Sequence, residues 1–383
     1  SVNPDVSWFN YQYQSIYGRG EIKVVIAFSG GGTLGHITPA LSFIQEIKSR
    51  SKNVKIIFIA TSKDEKYDIL KNNINITKIY YLKAYGKPTK ITDYCKTIYY
   101  DWKVLSTIKK ILKEEKVDLV VGMGGYISGI SIYIANKLKL KTIIHEQNSV
   151  IGFANKINLK KTDVILTTFK KTVGLEKYPF KTKWIGNPRY MDALKVKKSA
   201  FLDKKNILVT SGSLGSYQIN HVMKEFMNSP FAKNYTITLI SGKKYYDEIV
   251  STIPVRFNFL IKPFTNNLLE EISKAGIVIA RAGSTTLFEI LGTHTPSIII
   301  PSPNVTHHHQ YYNAKSLCDE GLIQMIDEKD FDYLSLNEAL DETIRKYDSY
   351  LEKLKHYQIG DVNDKFYQEI VKVMNRGEKD ESD

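Results

Sequence analysis

Short β-rich runs alternate with helical stretches along most of the chain, and nothing else in the sequence restricts the fold as much. The runs are Ile22–Phe28, Val54–Thr61, Thr77–Leu82, Val117–Gly122, Lys141–His145 and Asp163–Thr168. Apolar runs of this kind, separated by helices, imply parallel strands covered on both faces. After Trp184-Ile185-Gly186-Asn187-Pro188 the pattern breaks into a polar, Lys-rich stretch. It restarts with Asn206–Thr210, Tyr235–Ser241, Phe257–Ile261, Ile277–Ala280 and Ser297–Pro301. The fold class expected is α/β, with two doubly wound parallel-sheet domains in tandem. The expected division is an extension of unassigned role at 1–20, a first domain at 21–188 and a linker at 189–205. A second domain follows at 206–350, then C-terminal helices at 351–375 that return to the first domain, and a disordered tail at 376–383.

Ligands of such sheets bind beyond the carboxyl ends of the strands, and that is where the unusual residues cluster. Phe28 to Ala40 reads FSGGGTLGHITPA, a glycine turn between a strand and a helix whose early turns include Pro39. Gly30, Gly31 and Gly32 permit close backbone approach, and the helix mouth offers unpaired N–H groups to an anion. His36 sits in that turn, with an ordinary pKa of about 6.5 suited to proton transfer. A second glycine loop, Gly122-Met123-Gly124-Gly125-Tyr126-Ile127-Ser128-Gly129, follows the strand ending near Gly122. A third stretch, His145-Glu146-Gln147-Asn148, reads as a polar binding rim, with a capped helix start as the plainer alternative.

The second half repeats the design. Thr210-Ser211-Gly212-Ser213-Leu214-Gly215-Ser216 is a candidate anion cradle between strand and helix. In Arg281-Ala282-Gly283-Ser284-Thr285-Thr286-Leu287-Phe288-Glu289, Ser284 and Thr285 fall at a helix mouth suited to phosphate oxygens. Glu289 lies about one turn further in, where a carboxylate suits a vicinal diol such as ribose, or simply the helix dipole. His307-His308-His309-Gln310 lacks the spacing of a chelating face and reads as a loop that touches substrate, with Gln310 and Asn313 opening the next helix.

Charge narrows the partners. The net charge is +14, which suits nucleic acid, an anionic membrane face or phosphorylated ligands. No zinc-finger spacing, aromatic RNP-type motif or continuous basic arm supports nucleic acid. Residues 80–116 hold nine lysines against four acidic residues. Ile98, Trp102, Leu105, Ile108 and Leu112 form an apolar helical stripe there, and Tyr81, Tyr85, Tyr99, Tyr100 and Trp102 would suit an anionic lipid surface. Cys95 and Cys318 lie far apart and read as free thiols of a reducing compartment, and no signal-peptide or membrane-spanning pattern is expected.

From Glu21 to Met374 the chain resembles the MurG family of bacterial peptidoglycan N-acetylglucosaminyltransferases. The matching stretches are SGGGTLGHITPAL, GMGGYISG, HEQNSVIGFANK, IGNPR, SGSLGS, KPF, ARAGSTTLFEI and IPSPNVTHHHQYYNA. The resemblance implies the glycosyltransferase-B fold, two Rossmann-like domains with the active site in the cleft between them. It implies inverting transfer of N-acetylglucosamine from UDP-N-acetylglucosamine to the C4 hydroxyl of the muramyl sugar of lipid I, undecaprenyl-pyrophosphoryl-muramyl-pentapeptide, forming lipid II. No metal or other cofactor is implied, and the expected location is the cytoplasmic face of the plasma membrane, as a peripheral protein.

By the same resemblance His36 matches the base on the acceptor hydroxyl, while Gly124, Gly125, Tyr126 and Asn148 match the acceptor side. Thr33, Gly35, Arg189, Ser213, Phe264, Thr265, Ser284, Thr285, Glu289, His309 and Gln310 match the donor side, with Phe264 and Thr265 at uracil and Glu289 at ribose. The chain departs from the family pattern at Leu34, where a glycine is usual, and at Ser211 and Ser216. Alternatives are a lipid-acceptor sugar transferase of the diacylglycerol type, against which HEQN and GGYISG argue, and a UDP-N-acetylglucosamine 2-epimerase. The epimerase needs paired carboxylates at strand ends that the first half does not show.

Overall fold

A computed structural model describes residues 24–84, 94–198, 203–212 and 215–376, apart from the side chains of residues 94–102 and of His307. Ser213, the N-terminal extension, Tyr85, the chain beyond Arg376 and the side chains of Cys95, Ile98, Tyr99, Tyr100 and Trp102 lie outside the described residues. The described residues divide into two units. The first holds those up to Gln147, Ile151–Pro188 and those from Asp361, and the second holds Asn148–Val150 and Arg189–Gly360.

In the first unit the strands are β1 (Val25–Ser29), β2 (Lys55–Thr61), β3 (Lys78–Leu82), β4 (Leu119–Gly122), β5 (Lys141–Glu146), β6 (Val164–Thr167) and β7 (Thr182–Trp184). They pair in parallel in the order β3-β2-β1-β4-β5-β6-β7. Every residue of β1 and β4 is buried, which is why these strands read as unbroken apolar runs rather than alternating ones. Chain order reverses between β1 and β4, so the loops after those two strands flank the crevice at the switch point.

The helix Leu34–Arg50 follows β1 and buries Ile37, Leu41, Phe43, Ile44 and Ile47. The terminal helix Val362–Asn375 packs on it, with Phe366 stacked on Phe43 at 3.8 Å between ring centroids. Arg50 pairs with Asp364 at 2.6 Å and lies over the Tyr367 ring. In the helix Tyr94–Glu114, Val104, Ile108, Ile111 and Leu112 enter the core while Lys103, Lys109, Lys110 and Lys113 are exposed. The described part of the apolar stripe therefore faces the core and its lysines face water.

In the second unit the strands are β8 (Asn206–Thr210), β9 (Thr236–Ile240), β10 (Phe259–Lys262), β11 (Ile277–Ala280), β12 (Ser297–Ile299) and β13 (Gln324–Met325). All are parallel, in the order β10-β9-β8-β11-β12-β13, so the switch point lies between β8 and β11.

The structure differs from the sequence-based expectation in three places. The edge strands β7 and β13 are three and two residues long, too short to show a periodicity. Where a linker is expected, Arg189–Leu194 is a helix packed within the second unit. Tyr190 is 1% exposed there, its hydroxyl donates to the Tyr357 carbonyl at 3.1 Å, and a Cβ on Gly292 would meet Ala193 at 2.6 Å. Finally, the helix Tyr347–His356 belongs to the second unit, and the chain rejoins the first unit only at Asp361.

Candidate functional site

In the first unit two glycine loops meet at the switch point. β1 ends at Ser29, the backbone turns through Gly30–Thr33, and the helix begins at Leu34. The left-handed position in this turn is Gly32, at φ +87°. Leu34 is an ordinary first helical residue, so replacement of a glycine there does not strain the turn. Thr33 is the extended N-cap and is exposed, and Gly35 is the second helical residue.

His36 stands on the first helical turn. Its Nδ1 donates to the Gly31 carbonyl at 2.9 Å and lies 3.3 Å from the Thr33 hydroxyl. The other edge of the ring lies against the loop after β4, since a Cβ on Gly124 would fall 2.9 Å from His36 Nε2. Gly124 and Gly125 have φ of +102° and +83°, and a Cβ on Gly125 would collide with the Gly31 carbonyl at 2.6 Å. Glycines are thus needed in both loops for the backbones to close around the imidazole. Gly125 caps the helix Tyr126–Lys137, and the Tyr126 side chain is partly exposed at its start.

The stretch read as a polar rim is mostly interior. His145 is fully buried, edge-on to Phe43, and burial pushes its imidazole down to about 4 against a hydrogen bond to the Gly186 carbonyl. Glu146 accepts from Gly152 N–H at 3.0 Å and from Asn155 at 2.8 Å, and Gln147 donates to the Met123 carbonyl at 3.0 Å. These three are buried and brace loops, which corrects the rim reading for them, and of the four only Asn148 is left partly exposed. Asn148 is half-buried and belongs with the second unit, where its side-chain oxygen accepts from Asn313 at 3.1 Å.

In the second unit a cavity of about 590 Å³ opens at the β8/β11 switch point. Ser211, Gly212, Ser216, Arg281, Gln310 and Glu328 are among its lining residues. Gly212 and Gly215 are left-handed, and Ser216 caps the helix Tyr217–Asn228, so N–H groups of that helix mouth point toward the loop. Arg281 is the cation in the wall. It donates to Ser216 Oγ and to the Ile300 carbonyl, and pairs with Glu328. Burial lowers the Arg281 pKa while Glu328 opposes that shift. No role was expected for Arg281 or Glu328. The position of Arg281 directly after β11 is the only signal the sequence carries for it.

Ser284 and Thr285 open the helix Ser284–Gly292 behind Gly283, half-buried. On that helix Glu289 is 4% exposed, and its Oε1 accepts from Arg189 Nε at 3.0 Å and Nη2 at 2.6 Å. Burial pushes the Glu289 carboxyl up, and the Arg189 guanidinium opposes it. Glu289 Oε2 is buried without a hydrogen-bond partner among the described residues. Phe264 is partly exposed with Lys243 above its ring, and Thr265 Oγ1 accepts from Asn267 N–H at 3.2 Å. His309 Nδ1 donates to the Thr306 carbonyl at 2.9 Å, and Gln310 Oε1 accepts from Ser302 N–H at 2.9 Å. Of the expected donor residues, the structure brings Gln310 to the cavity wall and joins Arg189 to Glu289. Among the described residues no three His, Cys, Asp or Glu side chains gather as a metal site.

Family models match both halves of the chain. The glycosyltransferase family 28 N-terminal domain matches residues 26–167, and the family's C-terminal domain matches residues 206–371. The UDP-N-acetylglucosamine--N-acetylmuramyl-(pentapeptide) pyrophosphoryl-undecaprenol N-acetylglucosamine transferase of Bacillus cytotoxicus is 35% identical, over 92% of this chain and 100% of its own. A relative of the same name, numbered 1, from Bacillus anthracis is 34% identical over the same shares. Among solved structures, Acinetobacter baumannii MurG superposes with a TM-score of 0.72 at 23% identity, covering 92% of this chain and 100% of that one. With two parallel-sheet units of the glycosyltransferase-B type and relatives matched along their entire length, the chain belongs to the MurG family of N-acetylglucosaminyltransferases.

Proposed function

We propose that this chain transfers N-acetylglucosamine from UDP-N-acetylglucosamine to the C4 hydroxyl of the muramyl sugar of lipid I, with inversion, forming lipid II. The observation that carries the reading is full-length similarity to relatives named for that transfer. The His36 geometry fits its chemistry. A carbonyl can only accept, so Nδ1 bears the proton and Nε2 is the basic nitrogen of the neutral ring. His36 then takes the proton of the acceptor hydroxyl as that oxygen attacks the anomeric carbon, and UDP leaves.

The leaving diphosphate develops negative charge, which N–H groups at the mouths of the helices beginning at Tyr217 and Ser284 stabilise. Ser213, Ser284 and Thr285 serve the donor diphosphate and sugar, Arg189 lies near the nucleotide, Thr33 and Gly35 complete the donor side, and Phe264 and Thr265 hold the uracil. His309 and Gln310 contact the donor sugar. Glu289, held by Arg189 through one oxygen, presents the other to the ribose diol. Gly124, Gly125, Tyr126 and Asn148 form the acceptor side. The protein works at the cytoplasmic membrane face, where exposed lysines of residues 103–113 meet anionic lipid. No described helix is long and apolar enough to cross a membrane.

Labelled UDP-N-acetylglucosamine incubated with a lipid I analogue tests the reading. A β-1,4-linked disaccharide product is expected. Turnover of the nucleotide sugar to its 2-epimer, or transfer to diacylglycerol alone, would replace this reading with one of the alternatives.

A further inference from the structure

A carboxylate with no role in the site described above lies behind the His36 turn. Asp64, on the short 3-10 helix Ser62–Lys66 that follows β2, is 0% exposed. Its Oδ1 accepts the Gly32 N–H at 2.9 Å, and Oδ2 accepts the same N–H at 3.1 Å. Oδ2 also accepts the Thr61 N–H at 3.0 Å and the Thr61 hydroxyl at 2.6 Å. A Cβ on Gly31 would meet Oδ2 at 2.2 Å, so the carboxylate approaches this closely only because residue 31 is glycine.

The Gly32 N–H and the Gly31 C=O belong to one peptide group, and its planar trans geometry points them in opposite directions. One side of this peptide rests on Asp64, and the other holds His36 Nδ1 at 2.9 Å. We propose that Asp64 is a positioning residue for glycosyl transfer, fixing the Gly31–Gly32 peptide so that its carbonyl sets the tautomer and ring orientation of His36. The inference rests on the reading of His36 as the base. A carboxylate on the N–H side polarises the peptide and makes its carbonyl a stronger acceptor. The negative charge thereby acts on the imidazole through a peptide group, from the side opposite the edge that lies against Gly124.

Asp64→Asn tests this. A side-chain amide has one accepting oxygen, so serving Thr61 leaves the Gly32 N–H only the longer 3.1 Å contact and sets an NH2 donor where Oδ1 accepts at 2.9 Å. The expected result is a roughly ten- to hundredfold fall in kcat, the range for losing a hydrogen bond to a charged group, with KM for UDP-N-acetylglucosamine little changed. Nitrogen-15 spectra of the His36 ring should show the Nδ1–H tautomer in the parent and a mixture of tautomers in the variant. On a His36→Ala background the same substitution should leave the residual transfer rate nearly unchanged, because the two groups act as a unit. An unchanged kcat in Asp64→Asn, an unchanged tautomer, or the same fold-loss on both backgrounds would overturn the proposal. Should Asp64→Asn fail to fold by thermal melting, Thr61→Ala removes one donor to the carboxylate and carries the same comparison. A few-fold kcat loss absent from the His36→Ala background supports the role, and an equal or absent loss in both refutes it. A wild-type rate in His36→Ala alone would refute the base assignment instead.

Discussion

Burial holds the His145 imidazole neutral, pushing its pKa from the ordinary 6.5 to about 4. The unfolded chain therefore binds a proton between pH 6.5 and 4 that the folded one refuses. Stability contributed by this residue is complete above about 6.5 and is lost as pH falls through the window, at about 1.4 kcal/mol per unit. Urea unfolding at pH 7 and pH 5 should show a loss of about 2 kcal/mol from this group. In His145→Gln, which keeps a donor for the Gly186 carbonyl, that share of the pH dependence should vanish, and an unchanged dependence would contradict the assignment. His145 also marks a limit of reading residues in sequence. Beside Glu146 and Gln147 it looks like a polar rim, yet all three fill interior hydrogen-bonding needs that only the folded loops create. The turn that carries His36 was legible because glycines and a strand-to-helix switch mark it. Asp64 was not, because SKDEK is an ordinary charged stretch until the chain brings it behind Gly32.

At the scale of elements, strands buried on both faces announced themselves as continuous apolar runs: β4 falls within its expected range, and β1 runs one residue past its own, to Ser29. The edge strands β7 and β13 and the helix Arg189–Leu194 are too short or too polar to carry a periodic signal, and tertiary packing decides them. The helix Val362–Asn375 illustrates such packing over long sequence distance. It belongs to the first unit although all of the second precedes it, and Phe366 is its fully buried anchor on Phe43. Phe366→Ala should cost about 3–5 kcal/mol, the range for emptying a buried aromatic site. Chemical denaturation measures this, and a loss below about 1 kcal/mol would show that the terminal helix does not stabilise the first unit.

For the whole molecule, the tandem repetition of doubly wound halves was legible in the order of runs, and strand reversal in each sheet put the glycine loops at switch points. The +14 charge acts at this scale too. The exposed Lys103, Lys109, Lys110 and Lys113 should draw the protein to anionic vesicles, with binding that weakens as salt rises. Co-sedimentation checks this: replacing all four with Glu should reduce binding to phosphatidylglycerol vesicles, and equal binding would place the contact elsewhere. The central claim is sugar transfer with His36 as the base. Its most direct test is kcat for transfer of labelled N-acetylglucosamine to a lipid I analogue by His36→Ala. The account predicts a fall of roughly 10²–10⁴-fold, as for loss of a general base, with UDP affinity retained. Transfer at the wild-type rate would contradict it.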